Sequence, residues 1–140
     1  MDKEDLKKLV QKIISNHQIG VLSSVENSKP HVRYMTFFMK DFILYTPTKK
    51  NTEKIEEIKN NPHVAALLGY VEKGSNDEYV EVTGICSISE DKDLKEEFWN
   101  DSFHNWFNGA DDPNYVLMEI KPEAARILNS EHMKTMEITL

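Results

Sequence analysis

From Ile19 to Leu128 the chain is a succession of short apolar or alternating segments broken by turn signals, and this limits its fold more than any other feature. Ile19 to Val25, His31 to Met39, Phe42 to Thr46, His63 to Val71, Glu78 to Ser89, Tyr115 to Ile120 and Ala125 to Leu128 read as strands. Asn27-Ser28-Lys29-Pro30, Lys40-Asp41 and the Gly74-containing stretch from Glu72 to Asp77 read as turns. Gly84 interrupts the alternation of Val80 and Val82 against Tyr79, Glu81 and Thr83, which predicts a bulge. Three helices are predicted: residues 3–16 behind an Asp2 cap, Thr52 to Asn60 closed by Asn61-Pro62, and Asp91 to about Asn100. Strands connected this closely form an antiparallel meander, and six or seven of them hide their edges by closing into a small barrel.

A chain of 140 residues is one domain, 1–140, with a tail from residue 129. Hydrophobic residues at 39% are too many for a disordered chain. The longest apolar run, Val64 to Val71, is far short of the ~20 residues that cross a bilayer. The charged start, Met1 to Leu6, lacks the apolar core of a secretory signal, and Cys86 is a lone cysteine with no disulfide partner. A cytoplasmic protein is therefore expected. The net charge of −7 argues against nucleic acid or anionic membrane as partner.

The five histidines, at 17, 31, 63, 104 and 132, show no paired ligand spacing, so no metal site is expected. The glycine-rich nucleotide loops and the G-x-S-x-G turn are missing too. The acidic pairs Glu56-Glu57 and Glu96-Glu97 read as solvated helix faces. Two features carry chemistry. Thr46-Pro47-Thr48-Lys49-Lys50-Asn51-Thr52-Glu53-Lys54 places three lysines and three threonines in nine residues at a helix N-terminus. Hydroxyls, ammonium groups and free N–H groups there suit an anion the size of phosphate, although a solvated lysine loop has the same composition. The second feature is the strand from His31 to Met39, apolar on both faces. Arg33, Met35, Phe37 and Met39 face one way and Val32, Tyr34, Thr36 and Phe38 the other, so something besides water covers the outer face. A hairpin through Lys40-Asp41 would bring Arg33 near Thr46.

Pro30-x-x-Arg33-x-Met35, Tyr45-Thr46 and Thr52-x-Lys54 running into Asn61-Pro62-x-Val64 resemble the flavin-binding split-barrel family of pyridoxamine phosphate oxidase-like proteins. Val80-x-Val82-x-Gly84, Trp99 and Trp106-Phe107-x-Gly109-x-Asp111-Asp112-Pro113 are similar to its bacterial general stress protein branch. The resemblance implies a mainly β, six-stranded antiparallel split barrel with flanking helices, paired as a homodimer with FMN at the subunit interface. It implies that Arg33 and Lys54 hold the phosphate with the Thr52 hydroxyl, and that the backbone of Arg33, Tyr34, Met35, Thr36, Tyr45 and Thr46 lines the ribityl chain and ring. Trp106 and Phe107 would approach from the partner. Five of the thirteen aromatics crowd between Phe98 and Phe107, which also points to an interface.

The chain departs from the oxidase pattern. Glu53 stands beside the phosphate lysine where the oxidase has arginine, and the C-terminal Arg-x-His substrate motif is absent, Arg126 being followed by Ile127-Leu128. The expectation is an FMN-binding stress flavoprotein, an oxidoreductase of unnamed substrate rather than a pyridoxamine phosphate oxidase. The alternatives are a non-catalytic flavin-sequestering module or a relative that binds haem or a deazaflavin.

Overall fold

The structure, a computed structural model, describes residues 2–72, 77–130 and 136–139. The predicted turn at Gly74 and the tail residue His132 lie outside the described residues. The elements are α1 (Lys3–Asn16), β1 (Ile19–Glu26), β2 (Lys29–Thr36), β3 (Phe38–Lys40), β4 (Ile43–Lys49) and α2 (Glu53–Asn60). They continue as β5 (His63–Leu68), β6 (Tyr79–Ser89), α3 (Lys92–Glu97), a 3-10 turn at Asp101–Asn105, β7 (Tyr115–Leu128) and β8 (Met136–Thr139). All eight strands form one antiparallel sheet in the order β2-β1-β5-β6-β7-β4-β3, with β8 also on β7.

The two ends of that order are consecutive in the chain. β2 and β3 are joined by Phe37 alone, which is fully buried and donates its N–H to the Gln18 carbonyl at 2.6 Å. The predicted strand from His31 to Met39 is thus cut in two, because its first part pairs with β1 and its last part with β4. The expected hairpin with Phe42 to Thr46 is only three residue pairs long, Phe38, Met39 and Lys40 against Tyr45, Leu44 and Ile43. Covalent chain, not hydrogen bonding, links β2 to the β3–β4 edge, and the sheet stays open there. This is the α+β split barrel that the resemblance implies, open at one edge where the strand pattern alone suggests a meander closed on itself.

The segments Tyr115–Ile120 and Ala125–Leu128, expected as two strands, are one, and β8 lies in what reads as a tail. Pro122 is tolerated inside β7 because β4 pairs only as far as Ile120 and β8 only from Ala124, so no partner needs its missing N–H on that side. On the other side the register shifts between Thr83 and Gly84, the predicted bulge. A Cβ at Gly84 would overlap the Lys121 carbonyl oxygen and sit 3.0 Å from the Pro122 Cα, both backbone atoms that cannot swing away. Gly84→Ala is therefore expected to lower the unfolding free energy in urea by ~1–3 kcal/mol, an overpacking cost.

The main core lies inside the barrel, where Leu22, Phe37, Leu44, Val80, Met118 and Ile120 are fully buried. α1, capped by the Asp2 carboxylate on the Asp5 N–H at 2.9 Å, adds Val10, Ile13 and Ile14. Cys86 is part of this core, and burial pushes its thiol up to about 12, so it stays protonated and inert at neutral pH. A second cluster joins Tyr45, Phe98, Phe107, Tyr115 and Leu117, with Phe38, Trp99 and Phe103 packed on it. α3 ends at Glu97 rather than near Asn100 because Phe98 and Trp99 turn into this cluster, and Asn100 instead caps the 3-10 turn. The aromatic crowd is thus largely a satellite core of its own chain, with Trp106 left 59% exposed.

Candidate functional site

Beyond the three pairs of the β3–β4 hairpin, β2 and β4 diverge. Among the described residues β2 pairs only with β1, and β3 covers β4 only at Ile43–Tyr45, so Tyr34–Thr36 and Thr46–Lys49 have no strand partner there on their facing edges. A cleft of about 490 Å³ occupies this split, within the range of ligand sites. Tyr34, Met35 and Thr36 form one wall and Pro47, Thr48 and Lys49 the other. Thr52 and Lys54 close one end; Phe103, Trp106 and Phe107 supply an aromatic wall. The slot is apolar on its faces and cationic at one end, and its rims are unpaired backbone, able to donate and accept hydrogen bonds.

The cationic end is built by the start of α2. Thr52 occupies the N-cap position, but its hydroxyl leans back to the Lys49 carbonyl at 3.3 Å and does not cap the helix. The first-turn N–H groups therefore have no side-chain cap and carry the positive end of the helix dipole. Lys54 is half-buried and makes no ion pair among the described residues. Its pKa lies below the ordinary 10.5, first because burial strips water from the ammonium and then because Arg33 and Lys49 repel it. A cation held in a positive potential with little hydration is a place where an anion lowers the energy. Lys50, by contrast, turns out to Glu90 at 3.1 Å.

Arg33 is placed differently from its neighbours. It lines an adjoining pocket of about 400 Å³ that shares Thr52 and Lys54 with the cleft. Its Nη1 donates to Ser24 Oγ at 2.7 Å and to the Leu22 carbonyl at 3.4 Å, and its Nη2 to Glu57 Oε2 at 3.1 Å. Glu57 is only 4% exposed and also accepts from Ser24 Oγ at 2.6 Å, while His31 Nδ1 sits 2.8 Å from its other oxygen. The Ser24 and His31 hydrogen bonds, then the charges of His31 and Arg33, outweigh desolvation and bring its carboxyl down to about 2.

Of the residues singled out in the sequence, Tyr34, Met35, Thr36, Thr52, Lys54, Trp106 and Phe107 line one cleft within a single chain. Tyr45 and Thr46 do not present side chains to it. The Tyr45 ring packs on Phe98 at 5.1 Å, and Thr46 is fully buried, its hydroxyl without a hydrogen-bond partner among the described residues. Sequence reasoning missed Ile19 and Phe103 in the lining, and it missed Glu57. Glu57 is not on a solvated face as Glu56 is. The signal was its spacing, since Lys54, Glu57 and Ile58 share a helix face at i, i+3 and i+4 and Ile58 is buried.

An open-edged antiparallel barrel with a cofactor-sized slot in its split defines a class, the split-barrel binding domains. The chain belongs to the pyridoxamine 5'-phosphate oxidase-like family, whose model matches residues 4–139, and to its general stress protein branch. It is 46% identical over 130 residues to General stress protein 26 of Bacillus subtilis (strain 168), covering 93% of each chain. The crystal structure of General Stress Protein 26 from Bacillus anthracis str. Sterne superimposes with a TM-score of 0.83 at 41% identity, over 95% of this chain and 98% of that one. A heme binding protein from Mycobacterium smegmatis shares the fold alone, with a TM-score of 0.76 at 10% identity over 95% of this chain and 57% of that one. No helix among the described residues is long and apolar enough to cross a membrane.

Proposed function

We propose that the cleft between β2 and β4 holds FMN, that two chains pair around it, and that the protein is a cytoplasmic, stress-related oxidoreductase acting on something other than pyridoxamine phosphate. The observation that carries the reading is the half-buried, unpaired Lys54 at the uncapped start of α2, at one end of a slot with apolar faces. Lys54, Lys49 and Thr52 would hold the phosphate, and the unpaired edges of Tyr34–Thr36 and Thr46–Lys49 would meet the polar rim of a flat ring. Phe103, Trp106 and Phe107 would keep water from its apolar part. FMN, when bound, supplies the electron transfer, and the chain supplies placement and an electrostatic setting.

Pairing is supported by a second surface. Val32 and Tyr34 on β2, Ile19 on β1, and Leu67 and Tyr70 on and beyond β5 are 40–79% exposed, and Tyr34, Val21 and Leu67 lie in one register row. Ile19 and Tyr34 belong both to this apolar face and to the cleft lining, so a second chain covering the face would also wall the cleft. The haem reading has less support, since among the described lining residues no histidine or cysteine stands to ligate iron, which leaves Tyr34 and Met35 for that role.

Titration of the purified protein with FMN, riboflavin and haemin, followed by absorption, tests the ligand. Tight FMN, weaker riboflavin and no haem Soret shift are expected; indifference to FMN removes the proposal. Light scattering is expected to return about twice the 16.3 kDa of one chain, and a mass near 16.3 kDa with FMN bound removes the pairing. Anaerobic bleaching by a reduced nicotinamide separates an oxidoreductase from a sequestering module.

A further inference from the structure

We infer that Glu57 is a positioning residue for the phosphate end of the cleft, fixing α2 against β1 and β2 through Ser24, Arg33 and His31 so that Lys54 faces the anion. The inference rests on the reading that the cleft takes a phosphorylated flavin. It assigns a role to a carboxylate that touches none of the cleft itself.

The cleft's two sides at this end belong to different elements. Thr52 and Lys54 come from the start of α2, and Met35 and Thr36 from the end of β2. Among the described residues β2 and β4 are not paired across the split, so the width at the phosphate end depends on what ties α2 to the β1–β2 hairpin. Glu57 is one turn beyond Lys54 and gathers ligands from both strands, Ser24 from β1 and His31 and Arg33 from β2. Arg33 closes the network by donating to Ser24 and to the Leu22 carbonyl of β1. Both terminal nitrogens of its guanidinium are already committed to these bonds. Two further acidic groups stand near the cluster, Glu26 on β1, 4.0 Å from His31, and Glu53 at the start of α2, which lines the adjoining pocket with His31, Arg33 and Glu57.

Two accounts of Glu57 predict opposite signs. As a mere negative charge beside an anion site it opposes phosphate, so removing the charge would tighten FMN binding. As a positioning residue it aids phosphate by setting Lys54, so removing the charge loosens FMN. Glu57→Gln keeps the shape and an acceptor for Ser24 and Arg33 while abolishing the ion pair.

FMN and riboflavin titrations of the parent, Glu57→Gln, Lys54→Ala and the double variant decide it. Glu57→Gln is expected to weaken FMN about tenfold, with riboflavin changed less than about twofold. Riboflavin binding in each variant also shows that the cleft has folded. In the Lys54→Ala background Glu57→Gln is expected to cost FMN almost nothing more, because its effect runs through that lysine. Arg33→Lys, which keeps the charge but loses the fork, is expected to behave like Glu57→Gln. FMN binding that is unchanged or tighter in Glu57→Gln overturns the inference, as does an equal loss of FMN and riboflavin. A parent that binds no FMN overturns the functional reading and this inference with it.

Discussion

Lys54→Ala is expected to weaken FMN binding by ~10–150-fold and to leave riboflavin almost unchanged. A charge-assisted hydrogen bond contributes ~1.5–3 kcal/mol and ~1.4 kcal/mol is a factor of ten in affinity, which sets the range. The lower end applies if the α2 N-terminus and Lys49 take over part of the anion's charge. The pH dependence follows from the direction of the Lys54 shift. The ammonium is the form that holds phosphate, and in the free protein it loses its proton below the ordinary 10.5. The preference for FMN over riboflavin should therefore be full at neutral pH and fall as pH rises through that depressed value. Arg126→Ala is the control, because its guanidinium is bound to Glu81 at 2.8 Å, outside the cleft. Isothermal titration of both ligands checks the result; equal losses for FMN and riboflavin in Lys54→Ala would remove the phosphate contact.

Glu57→Ala should cost ~3–5 kcal/mol of folding stability, the usual consequence of breaking a buried charged network from one side. It strands the Arg33 guanidinium, 23% exposed, and leaves Ser24 Oγ and His31 without the carboxylate. The acid behaviour has a definite sign. Glu57 has its folded pKa depressed from 4.5 to about 2, so its contribution is complete above 4.5 and is lost as pH falls through about 2. Urea unfolding of parent and variant at neutral pH and at successively lower pH should show a large gap that narrows below 4.5. A gap under ~1 kcal/mol at neutral pH would mean that the network does not hold α2 to the hairpin.

Much of this fold is legible locally. α1 follows from five apolar residues at helical spacing and an aspartate where a cap is needed. The bulge at Gly84 follows from a break in a period of two, because a one-residue slip would send every later side chain to the wrong face. The anion end of the site is equally local. Lysines, threonines and a helix start lie within nine residues, so chain connectivity alone puts them together.

The composition of the chain and the order of its turns determined the antiparallel barrel, the lysine-rich helix start and the doubly apolar strand, because each is set by neighbours a few residues apart. Tertiary structure decided what that strand does. Phe37 leaves its N–H on Gln18 and its ring in the core, and the chain passes there from one sheet edge to the other, opening the split. It also decided that Phe98 packs on Phe38 and Tyr45 and Phe107 on Tyr115 rather than facing solvent, and that Glu57 is buried while Glu56 beside it is not. Each outcome depends on which groups from distant segments fill the space beside a residue. A carboxylate becomes part of a site only when Ser24, His31 and Arg33 arrive from two strands to satisfy it.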